Sequence, residues 1–157
     1  MQVRRHRPGE EDELWQLYYD TTHIIIGEFY TKEQVQRWAP DDKNMDEWKE
    51  RVREKNPFVA VEDGNIIGFA ELESDGQINY FYVHHKWQGK GVGSALYNSI
   101  EGEATRQGIP FLYADVSKPA KGFFLRQGFE IVEEKNNIVC GAPAPNFTMK
   151  KRLPGDR

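Results

Sequence analysis

The sequence predicts a mixed α/β fold, in which a twisted sheet of six or seven strands is flanked by about four or five helices. Two patterns carry this prediction. Between Phe58 and Val83, apolar β-rich runs follow one another with turn signals between them, which is typical of an antiparallel sheet. Between Gln77 and Val116, a strand, a glycine-rich loop, a helix and a second strand follow in order. Such a crossover lays its two strands side by side, so one pair in the sheet is expected to be parallel.

The first third of the chain is expected to form one short strand followed by helices. After Pro8-Gly9, apolar residues recur at helical spacing and acids fill the first turn. A capping box at Thr31-x-x-Gln34 and a second capping signal at Asn44 begin two more helices. The predicted elements are a strand over Gln2–Arg7 and helices over Glu10–His23, Thr31–Trp38 and Asn44–Asn56.

The rest of the chain alternates strands with two helices. Asp63-Gly64-Asn65 joins the first two apolar runs as a hairpin, and Ser74-Asp75-Gly76 turns the chain into the third. The helix after the glycine-rich loop ends at Gly108, which has the place of a C′ glycine before Pro110. The predicted strands are Phe58–Glu62, Ile66–Leu72, Gln77–Val83, Phe111–Val116, Phe129–Glu134 and Phe147–Lys151, and the predicted helices run over Gly91–Gly108 and Ser117–Gly128.

Composition narrows the class of protein. With 157 residues, 38% hydrophobic and 29% charged, the chain fits one globular domain. A formal net charge of −4 argues against a dedicated nucleic-acid binder. A single cysteine excludes a disulfide framework and favours a reducing, cytoplasmic location. No apolar run approaches the roughly 18 residues of a membrane span and no secretory signal is evident, so a membrane is not an expected partner.

The loop from Gln88 to Ser94 has the composition of an anion-binding loop. Glycine tolerates positive φ and leaves its N–H groups uncovered, so Gly89, Gly91 and Gly93 let the backbone approach a ligand. The N-terminus of the following helix and the nearby lysines, Lys86 and Lys90, add positive charge. The loop matches neither a Walker loop nor a G-x-G-x-x-G fingerprint. A pyrophosphate is therefore the expected ligand.

This loop and a downstream stretch resemble those of the GNAT superfamily of N-acetyltransferases. The spacing Gln88-x-x-Gly91-x-Gly93, after an apolar strand that ends in Val83-His84, is similar to that family's acetyl-CoA signature. The family's later pattern, Asn-x-x-Ala-x-x-Phe/Leu-Tyr-x-x-x-Gly-Phe, is matched at Ser117, Ala120, Phe123, Phe124, Gly128 and Phe129. Ser117 stands where Asn is usual, and Phe124 stands where a tyrosine commonly protonates the departing thiolate. The resemblance spans about Phe58 to Lys151.

The resemblance implies the GNAT acyl-CoA N-acyltransferase fold and an enzyme that transfers acetyl from acetyl-CoA to an amine, without a metal. It divides a single domain, residues 1–157, into an acceptor side at 1–57, a central sheet with the acetyl-CoA loop at 58–116 and a C-terminal part at 117–157. The strand backbone would pair with the pantetheine arm, and the loop would hold the pyrophosphate. The implied cofactor-binding residues are Phe81, Tyr82, Val83, Gln88, Gly89, Lys90, Gly91, Val92, Gly93, Ser94, Ser117 and Phe124.

For the chemistry, the resemblance implies direct attack of a neutral amine on the thioester, with no covalent enzyme intermediate. A backbone amide near Val83, where the family's two central strands splay apart, would meet the developing oxyanion. Glu71, Glu73 and Asp115 are carboxylates that could reach this place, and Glu71 is the first candidate for the general base. Asn79 could orient a water.

Phe124 has no proton to give, so the usual general acid cannot be carried over to this position. Expelling a thiolate rather than a thiol near neutral pH costs roughly 2 kcal/mol, because a thiol has a pKa near 8.5. Water, or the hydroxyl of Tyr30, Tyr82 or Tyr113, could donate instead, and the sequence leaves these alternatives open.

In the family, the region between the first two helices lines the acceptor pocket. The candidate substrate-binding residues there are His23, Glu28, Tyr30 and Trp38. An aromatic wall with an acid would suit a cationic or aromatic amine, and a small-molecule amine or an amino-sugar-like metabolite is the first hypothesis. A protein amino group, a non-catalytic acyl-CoA-binding module and a general nucleotide-binding protein are the alternatives, and a homodimer stays open.

Two other features of the sequence do not predict a metal site or a nucleophile. His84 and His85 are adjacent, and adjacent residues on an extended chain point opposite ways, so we do not expect them to bind a metal together. Cys140 lies among Gly141 and prolines, without a neighbouring histidine or helix N-terminus, so we do not expect it to be a nucleophile.

Overall fold

The computed structural model describes residues 1–154. Five helices are present in this part of the chain: α1 (Glu11–Ile24), α2 (Lys32–Trp38), α3 (Met45–Lys55), α4 (Val92–Arg106) and α5 (Lys121–Arg126). The strands are β1 (Gln2–Arg5), β2 (Phe58–Glu62), β3 (Asn65–Leu72), β4 (Gln77–Val83), β5 (Phe111–Ser117), β6 (Glu130–Lys135), β7 (Ile138–Val139), β8 (Ala142–Pro143) and β9 (Asn146–Arg152). Short 3-10 turns occupy residues 26–28, 85–87 and 118–120.

Seven strands form one mixed sheet in the order β1-β2-β3-β4-β5-β9-β6. The pair β4 and β5 is parallel, and the other neighbours in this sheet are antiparallel. The predicted fold class and the position of the parallel pair are confirmed. The hairpin of β7 and β8 was not predicted, and β1 ends at Arg5 rather than Arg7.

Local sequence signals set the helix ends as predicted. Thr31 accepts a hydrogen bond from the backbone of Gln34, whose side chain accepts one from the backbone of Thr31, which completes the capping box of α2. Asn44 caps α3 through its side-chain oxygen. Gly108 follows α4 with a φ of +74°, a conformation that favours glycine.

The helices cover both faces of the sheet. On β3, the neighbours Phe69 and Ala70 belong to different apolar clusters because successive strand residues face opposite sides. Phe69 packs with α1 and α3, around the fully buried Trp48. Ala70 packs in the cluster that α4 and α5 cover, together with Ile100. The helices α1 and α3 therefore lie on one face, and α4 and α5 on the other.

A gap in the middle of the sheet positions the candidate site. Strands β4 and β5 are paired only at Gln77 with Tyr113 and at Ile78 with Ala114. Beyond Ile78, β4 stays paired with β3 while β5 stays paired with β9 along its whole length. The two strands separate at this point, and the sheet opens between them.

Strand β4 is also distorted where the gap begins. Its register with β3 shifts between Phe69 and Glu71, so that two residues of β4 lie opposite Ala70. Tyr80, at this bulge, has a φ of +49°, which is uncommon for any residue with a side chain. Such strain persists only where the surrounding packing holds it, and it occurs most often at functional sites.

Candidate active site

The gap between β4 and β5 is part of a cavity of about 960 Å³. Its wall includes Tyr18 and Thr22 of α1 from one face of the sheet and Phe123 and Phe124 of α5 from the other. Because α1 and α5 lie on opposite faces, the cavity passes through the sheet. Two molecules could therefore meet inside it from opposite sides.

The glycine loop lies at the α4 side of this cavity. Gly89 and Gly91 have φ of +72° and +84°, and a Cβ built on either would meet nothing within 4 Å. Glycine is needed at these two positions for the backbone conformation and not to avoid a neighbour. Gly91 is also the N-cap of α4 and supplies no side-chain cap. The first N–H groups of α4, at the cavity wall, therefore remain available to an anion.

Gly93 has a different reason to be glycine. Its Cβ would lie 3.1 Å from Cε1 of Phe123, closer than side chains normally approach. The residue lets α4 and α5 pack closely beside the loop. The sequence suggested a conformational role for Gly93 like that of Gly89 and Gly91, and the structure shows a packing role instead.

The side chain of Gln88 connects the loop to β4. Its Nε2 donates a hydrogen bond of 2.7 Å to the carbonyl oxygen of Val83. Lys90 is not one of the cavity-lining residues, and its Nζ lies 5.4 Å from the ring centre of Trp87, which does line the cavity. The remaining predicted cofactor-binding residues line the cavity, namely Phe81, Tyr82, Val83, Gln88, Gly89, Gly91, Val92, Gly93, Ser94, Ser117 and Phe124.

Two of the three predicted catalytic residues line the cavity. Asn79 lies where β4 leaves β5, and its Nδ2 donates to Oε1 of Glu73 at 3.3 Å. Asp115 of β5 is exposed and accepts a 2.8 Å hydrogen bond from Oγ1 of Thr148. Its Oδ1 also lies 3.7 Å from Nζ of Lys135.

Glu71 is placed differently. It is only 1% exposed and is not one of the cavity-lining residues. Both of its oxygens accept hydrogen bonds from Arg51, at 2.5 and 2.8 Å. The guanidinium carbon of Arg51 lies 4.3 Å from the ring centre of Tyr80, the residue at the β4 bulge. With both oxygens engaged, the arrangement favours a structural role for Glu71 in holding this bulge.

The pKa of Arg51 reflects the same pair. Burial lowers this pKa, but the hydrogen bonds and the charge of Glu71 outweigh burial and raise it above its usual value. Arg51 is therefore charged at every working pH, and Glu71 has a permanent ion-pair partner.

The predicted acceptor residues divide into two groups. Tyr30 and Trp38 line the cavity, with their ring centres 4.9 Å apart. His23 and Glu28 are not among its lining residues. His23 Nε2 lies 2.8 Å from the carbonyl oxygen of Ala39, and Glu28 is exposed.

Residues of α1 that the sequence analysis did not single out also line the cavity. Tyr18, Thr21 and Thr22 are each buried. They lie on the same face of α1 as Leu14 and Leu17, which pack in the protein core. Two threonines on an otherwise apolar helix face are the signal that could have identified this wall, because buried hydroxyls need partners. The β7–β8 hairpin, which is bonded to Gln34 of α2, contributes Ile138 and Val139 to the wall.

Of the residues considered as proton donors to the thiolate, some line the cavity and others do not. Phe124 is 2% exposed, and its ring packs against Phe81 and Phe129, with centres 5.6 and 5.1 Å away. Tyr113 is not in the cavity wall. Tyr82 and Tyr30 are in the wall, and burial raises the pKa of both above the usual tyrosine value, so both hydroxyls keep their protons.

The two adjacent histidines do not point apart as an extended chain would require. His84 begins the turn at 85–87, and its ring stacks on that of His85 with centres 4.3 Å apart. Nδ1 of His84 accepts a 3.0 Å hydrogen bond from the backbone N–H of Lys86. No group of three or more His, Cys, Asp or Glu residues within 1–154 is arranged to hold a metal ion.

Cys140 is exposed at the turn between β7 and β8, with a φ of +51°. Its Sγ lies 3.8 Å from the carbonyl oxygen of Glu33. Among the helices of residues 1–154, none combines the length and the hydropathy that are required to cross a membrane.

Comparisons with known proteins agree with this geometry. A family model described as an acetyltransferase (GNAT) domain matches residues 27–153. The N-acetyltransferase YafP of Escherichia coli (strain K12), itself uncharacterized, is 28% identical over 153 residues, covering 96% of this chain and 95% of YafP. A crystal structure of a GCN5-related N-acetyltransferase from Rhodopseudomonas palustris superposes with a TM-score of 0.88 and 25% identity, covering 97% of this chain and 95% of that one.

A more distant structure shares the fold. The PaiA N-acetyltransferase of Thermoplasma acidophilum, solved in complex with coenzyme A, has a TM-score of 0.76 and 16% identity, and the match covers 98% of this chain and 100% of that one. The family match covers most of the chain and includes the glycine loop, the gap between β4 and β5 and the cavity wall from Tyr30 onward. This chain therefore belongs to the acetyltransferase (GNAT) family and is an N-acetyltransferase enzyme.

Proposed function

We propose that this enzyme transfers the acetyl group of acetyl-CoA directly to a primary amine of a small molecule. The observation that carries the proposal is the cavity that passes through the sheet between β4 and β5. The uncapped N-terminus of α4 lies at one side of this cavity, and an aromatic wall from α1, α2 and β4 lies at the other. A distant relative of the same fold binds coenzyme A, which supports this choice of cosubstrate.

The glycine loop and the first turn of α4 would hold the pyrophosphate of acetyl-CoA. A hydrogen bond to a charged oxygen contributes roughly 1.5–3 kcal/mol net, so three or four backbone donors supply most of the roughly 8 kcal/mol of micromolar binding. Gly89 and Gly91 leave open space where a Cβ would stand, so the ligand can approach the backbone. Phe81 and Phe124 supply apolar surface for the pantetheine arm deeper in the cavity.

The reaction joins the amine nitrogen to the thioester carbon and breaks the carbon–sulfur bond. An alkylammonium has a pKa near 10.4, so it must lose one proton before attack and a second as the amide forms. One of these protons ends on the coenzyme A sulfur, and one is released to solvent. Asn79 and Asp115 are both in the cavity wall. We propose that they act on the protons that leave the amine, with Asn79 orienting a water.

The β4 backbone would stabilise the negative charge that develops on the thioester oxygen. Beyond Ile78, β4 has no partner strand on its β5 side, so backbone groups on that side face the cavity. The bulge at Tyr80 changes their direction. One well-placed N–H of this kind contributes roughly 2.7–4 kcal/mol to the transition state.

Protonation of the thiolate would come from Tyr30 or from water. Tyr30 is half-buried in the cavity wall, and its hydroxyl lies close to Ser117 and Lys118 at the end of β5. Tyr82 belongs to the cluster under α1 and α3 rather than to the α5 side, which makes it the poorer candidate.

Titration calorimetry with acetyl-CoA, coenzyme A and ATP, followed by a thiol-release assay over small amines and peptides, tests the proposal. We expect both coenzyme A forms to bind, ATP to bind far more weakly, and small amines to stimulate thiol release. Failure to bind coenzyme A would show that the glycine loop is not a cofactor site. Thiol release with peptides alone would identify a protein amino group as the acceptor.

A further inference from the structure

The acceptor side of the cavity is aromatic and nearly without charge. Among the cavity-lining residues within 1–154, Asp115 and Arg126 are the charged ones. Neither belongs to the helices of the acceptor side, because Asp115 is on β5 and Arg126 ends α5. The wall formed by α1, α2, β4 and the segment between the two helices is made instead of Tyr18, Tyr30, Trp38, Tyr80 and Tyr82, with Ile25 and Ile26 beside them.

The rings of this wall are held in fixed positions. The ring centre of Tyr18 lies 4.8 Å from that of Tyr82 and 5.2 Å from that of Tyr80. The Tyr18 hydroxyl donates a 2.7 Å hydrogen bond to the carbonyl oxygen of Trp38, which ties α1 to the end of α2. An aromatic guest would add further edge-to-face contacts of the kind already present between these rings.

A buried hydroxyl in the same wall has no partner. Thr22 is 2% exposed, and its Oγ1 makes no hydrogen bond of normal geometry with residues 1–154, although it lies close to the Tyr18 hydroxyl. The neighbouring Thr21, by contrast, donates to the carbonyl oxygen of Val83 at 3.3 Å. A buried hydroxyl is normally satisfied, so a rotation of the Thr22 side chain towards the cavity would let its hydroxyl pair with a ligand group. The N–H of a primary amine is such a group.

We propose, on the basis of the proposed function, that the acceptor is a primary amine with one positive charge and an aromatic body, whose nitrogen hydrogen-bonds to Thr22. A polyamine or an aminoglycoside would bring several ammonium groups into a wall with no carboxylate to pair with them, and unpaired buried charge is costly. A single ammonium finds the rings of Tyr18 and Tyr82, which attract cations, whereas the Tyr80 ring already carries the Arg51 guanidinium.

The first test compares three amines at saturating acetyl-CoA: 2-phenylethylamine, hexylamine of similar apolar size, and spermidine. We expect kcat/KM to fall in that order, with spermidine at least tenfold below 2-phenylethylamine. If spermidine or kanamycin is the best acceptor, or if coenzyme A binds and no aromatic amine is acetylated, the proposal is wrong. Absence of coenzyme A binding is a separate result, because it overturns the proposed function itself.

The second test uses Thr22→Val with Thr21→Val as its control. Removing an unpaired buried hydroxyl should leave the melting temperature unchanged or higher, while KM for 2-phenylethylamine rises by about 2- to 10-fold, the range of one hydrogen bond. Thr21→Val should lower the melting temperature, because its hydroxyl has a partner. A fall in the melting temperature of Thr22→Val with KM unchanged would show that the hydroxyl stabilises the folded protein and does not bind the amine.

A gain-of-function variant keeps the test independent of loss of folding. Ile26 is half-buried in the acceptor wall, and Ile26→Glu would place a carboxylate there. We expect Ile26→Glu to raise the ratio of kcat/KM for spermidine over 2-phenylethylamine by about tenfold relative to Ile26→Gln, since one new ion pair in a partly buried site is worth about that factor. An unchanged ratio in a folded variant would show that wall charge does not select the acceptor.

Discussion

Arg51 and Glu71 form a bidentate ion pair next to the bulge that opens the sheet. Glu71 lies opposite Asn79 in the β3–β4 register, and the Arg51 guanidinium stacks on the ring of Tyr80. The pair therefore contacts Tyr80 through its ring and the neighbouring Asn79 through the sheet. We infer that it holds the β4 backbone in the conformation that faces the cavity.

Replacing Glu71 tests this role. We expect Glu71→Gln to lower the free energy of unfolding by about 1.5–3 kcal/mol, because it removes the charge from hydrogen bonds to a guanidinium. We also expect kcat to fall while the shape of the pH–rate profile stays the same, because a positioning residue does not titrate in the reaction. Urea unfolding and steady-state kinetics measure the two effects.

The control for stability is Glu73→Gln, which removes the charge from the 2.8 Å pair between Glu73 and Lys55 and keeps an oxygen for the hydrogen bond from Asn79. Both partners are partly exposed, so the change should stay within about 1 kcal/mol. Loss of an ionisation from the pH–rate profile of Glu71→Gln would make Glu71 the general base after all.

Gln34 fastens the β7–β8 hairpin to α2. Its Nε2 lies within hydrogen-bond distance of the carbonyl oxygens of Val139, Ala142 and Pro143, at 3.1, 3.0 and 3.2 Å. The side chain is only 1% exposed. We expect Gln34→Leu to cost about 1–3 kcal/mol of unfolding free energy, to speed amide exchange at Ile138 and Val139, and to raise KM for the amine.

Gln36 provides the matched control, because it lies on the same helix but is exposed, and its side chain bonds to Asp41 rather than to the hairpin. Gln36→Leu should change stability by no more than about 0.5 kcal/mol. Equal effects of the two substitutions would mean that the hairpin does not depend on Gln34.

Two glycines at the start and in the middle of α4 should respond in opposite ways. Gly91 has a φ of +84°, so Gly91→Ala should destabilise the protein by about 1–2 kcal/mol and weaken acetyl-CoA binding. Gly102 is exposed within the helix, and its Cβ would meet nothing within 4 Å. Gly102→Ala should stabilise the protein by about 0.5–1 kcal/mol and leave binding unchanged. Thermal unfolding and calorimetry check both, and weaker binding in Gly102→Ala would contradict the assignment.

His84 should make acetyl-CoA binding sensitive to acid. Burial lowers the pKa of His84, and the nearby charge of His85 lowers it further. The neutral ring accepts the hydrogen bond from Lys86 N–H that shapes the turn before the glycine loop. Because the folded pKa lies below the unfolded value of about 6.5, the unfolded state binds the proton first, and stability is lost as the pH falls below about 6.5.

His84→Asn keeps an acceptor but cannot titrate in this range. We expect the acetyl-CoA affinity of the wild type to fall more steeply between pH 7 and pH 5 than that of the variant, when both are measured by calorimetry. The phosphates of acetyl-CoA also titrate, with a pKa near 6, but they affect both proteins equally. The difference between the two curves therefore reports on His84. Parallel curves for the two proteins would exclude His84 as the sensitive group.

The thiolate donor can be tested with two tyrosines. The benefit of a general acid here is limited by the roughly 2 kcal/mol cost of expelling a thiolate, which corresponds to about 30-fold in rate. We expect Tyr30→Phe to lower kcat by about 3- to 30-fold and Tyr113→Phe to leave it unchanged, because only Tyr30 lines the cavity. Stopped-flow measurement of thiol release gives both values, and an unaffected Tyr30→Phe would assign the proton to water.

The predictions from sequence succeeded where the interaction is local. The capping box of Thr31 and Gln34, the hairpin turn at Asp63 and Gly64 and the C′ glycine Gly108 each depend on residues a few positions apart. The β7–β8 hairpin was missed because its strands have two residues each, which is too short for a period to be visible.

The partner of Glu71 could not be predicted in the same way. Glu71 and Arg51 are 20 residues apart and meet only because α3 packs on the face of β3. The strain at Tyr80 and the unpaired hydroxyl of Thr22 also depend on that packing. A strand sequence specifies which residues alternate between faces, but not where a neighbouring strand stops pairing.

By itself, the sequence determined the fold class, the order of the strands around the glycine loop and the resemblance to a GNAT acetyltransferase, because spacing, turn chemistry and apolar periodicity act over short distances. The tertiary structure decided which of the candidate residues reach the cavity. It placed Tyr30, Trp38, Asn79 and Asp115 in the wall and Glu71 in an ion pair. Side chains distant in sequence are brought together only by packing of helices on the two faces of the sheet, so that selection depends on the whole fold.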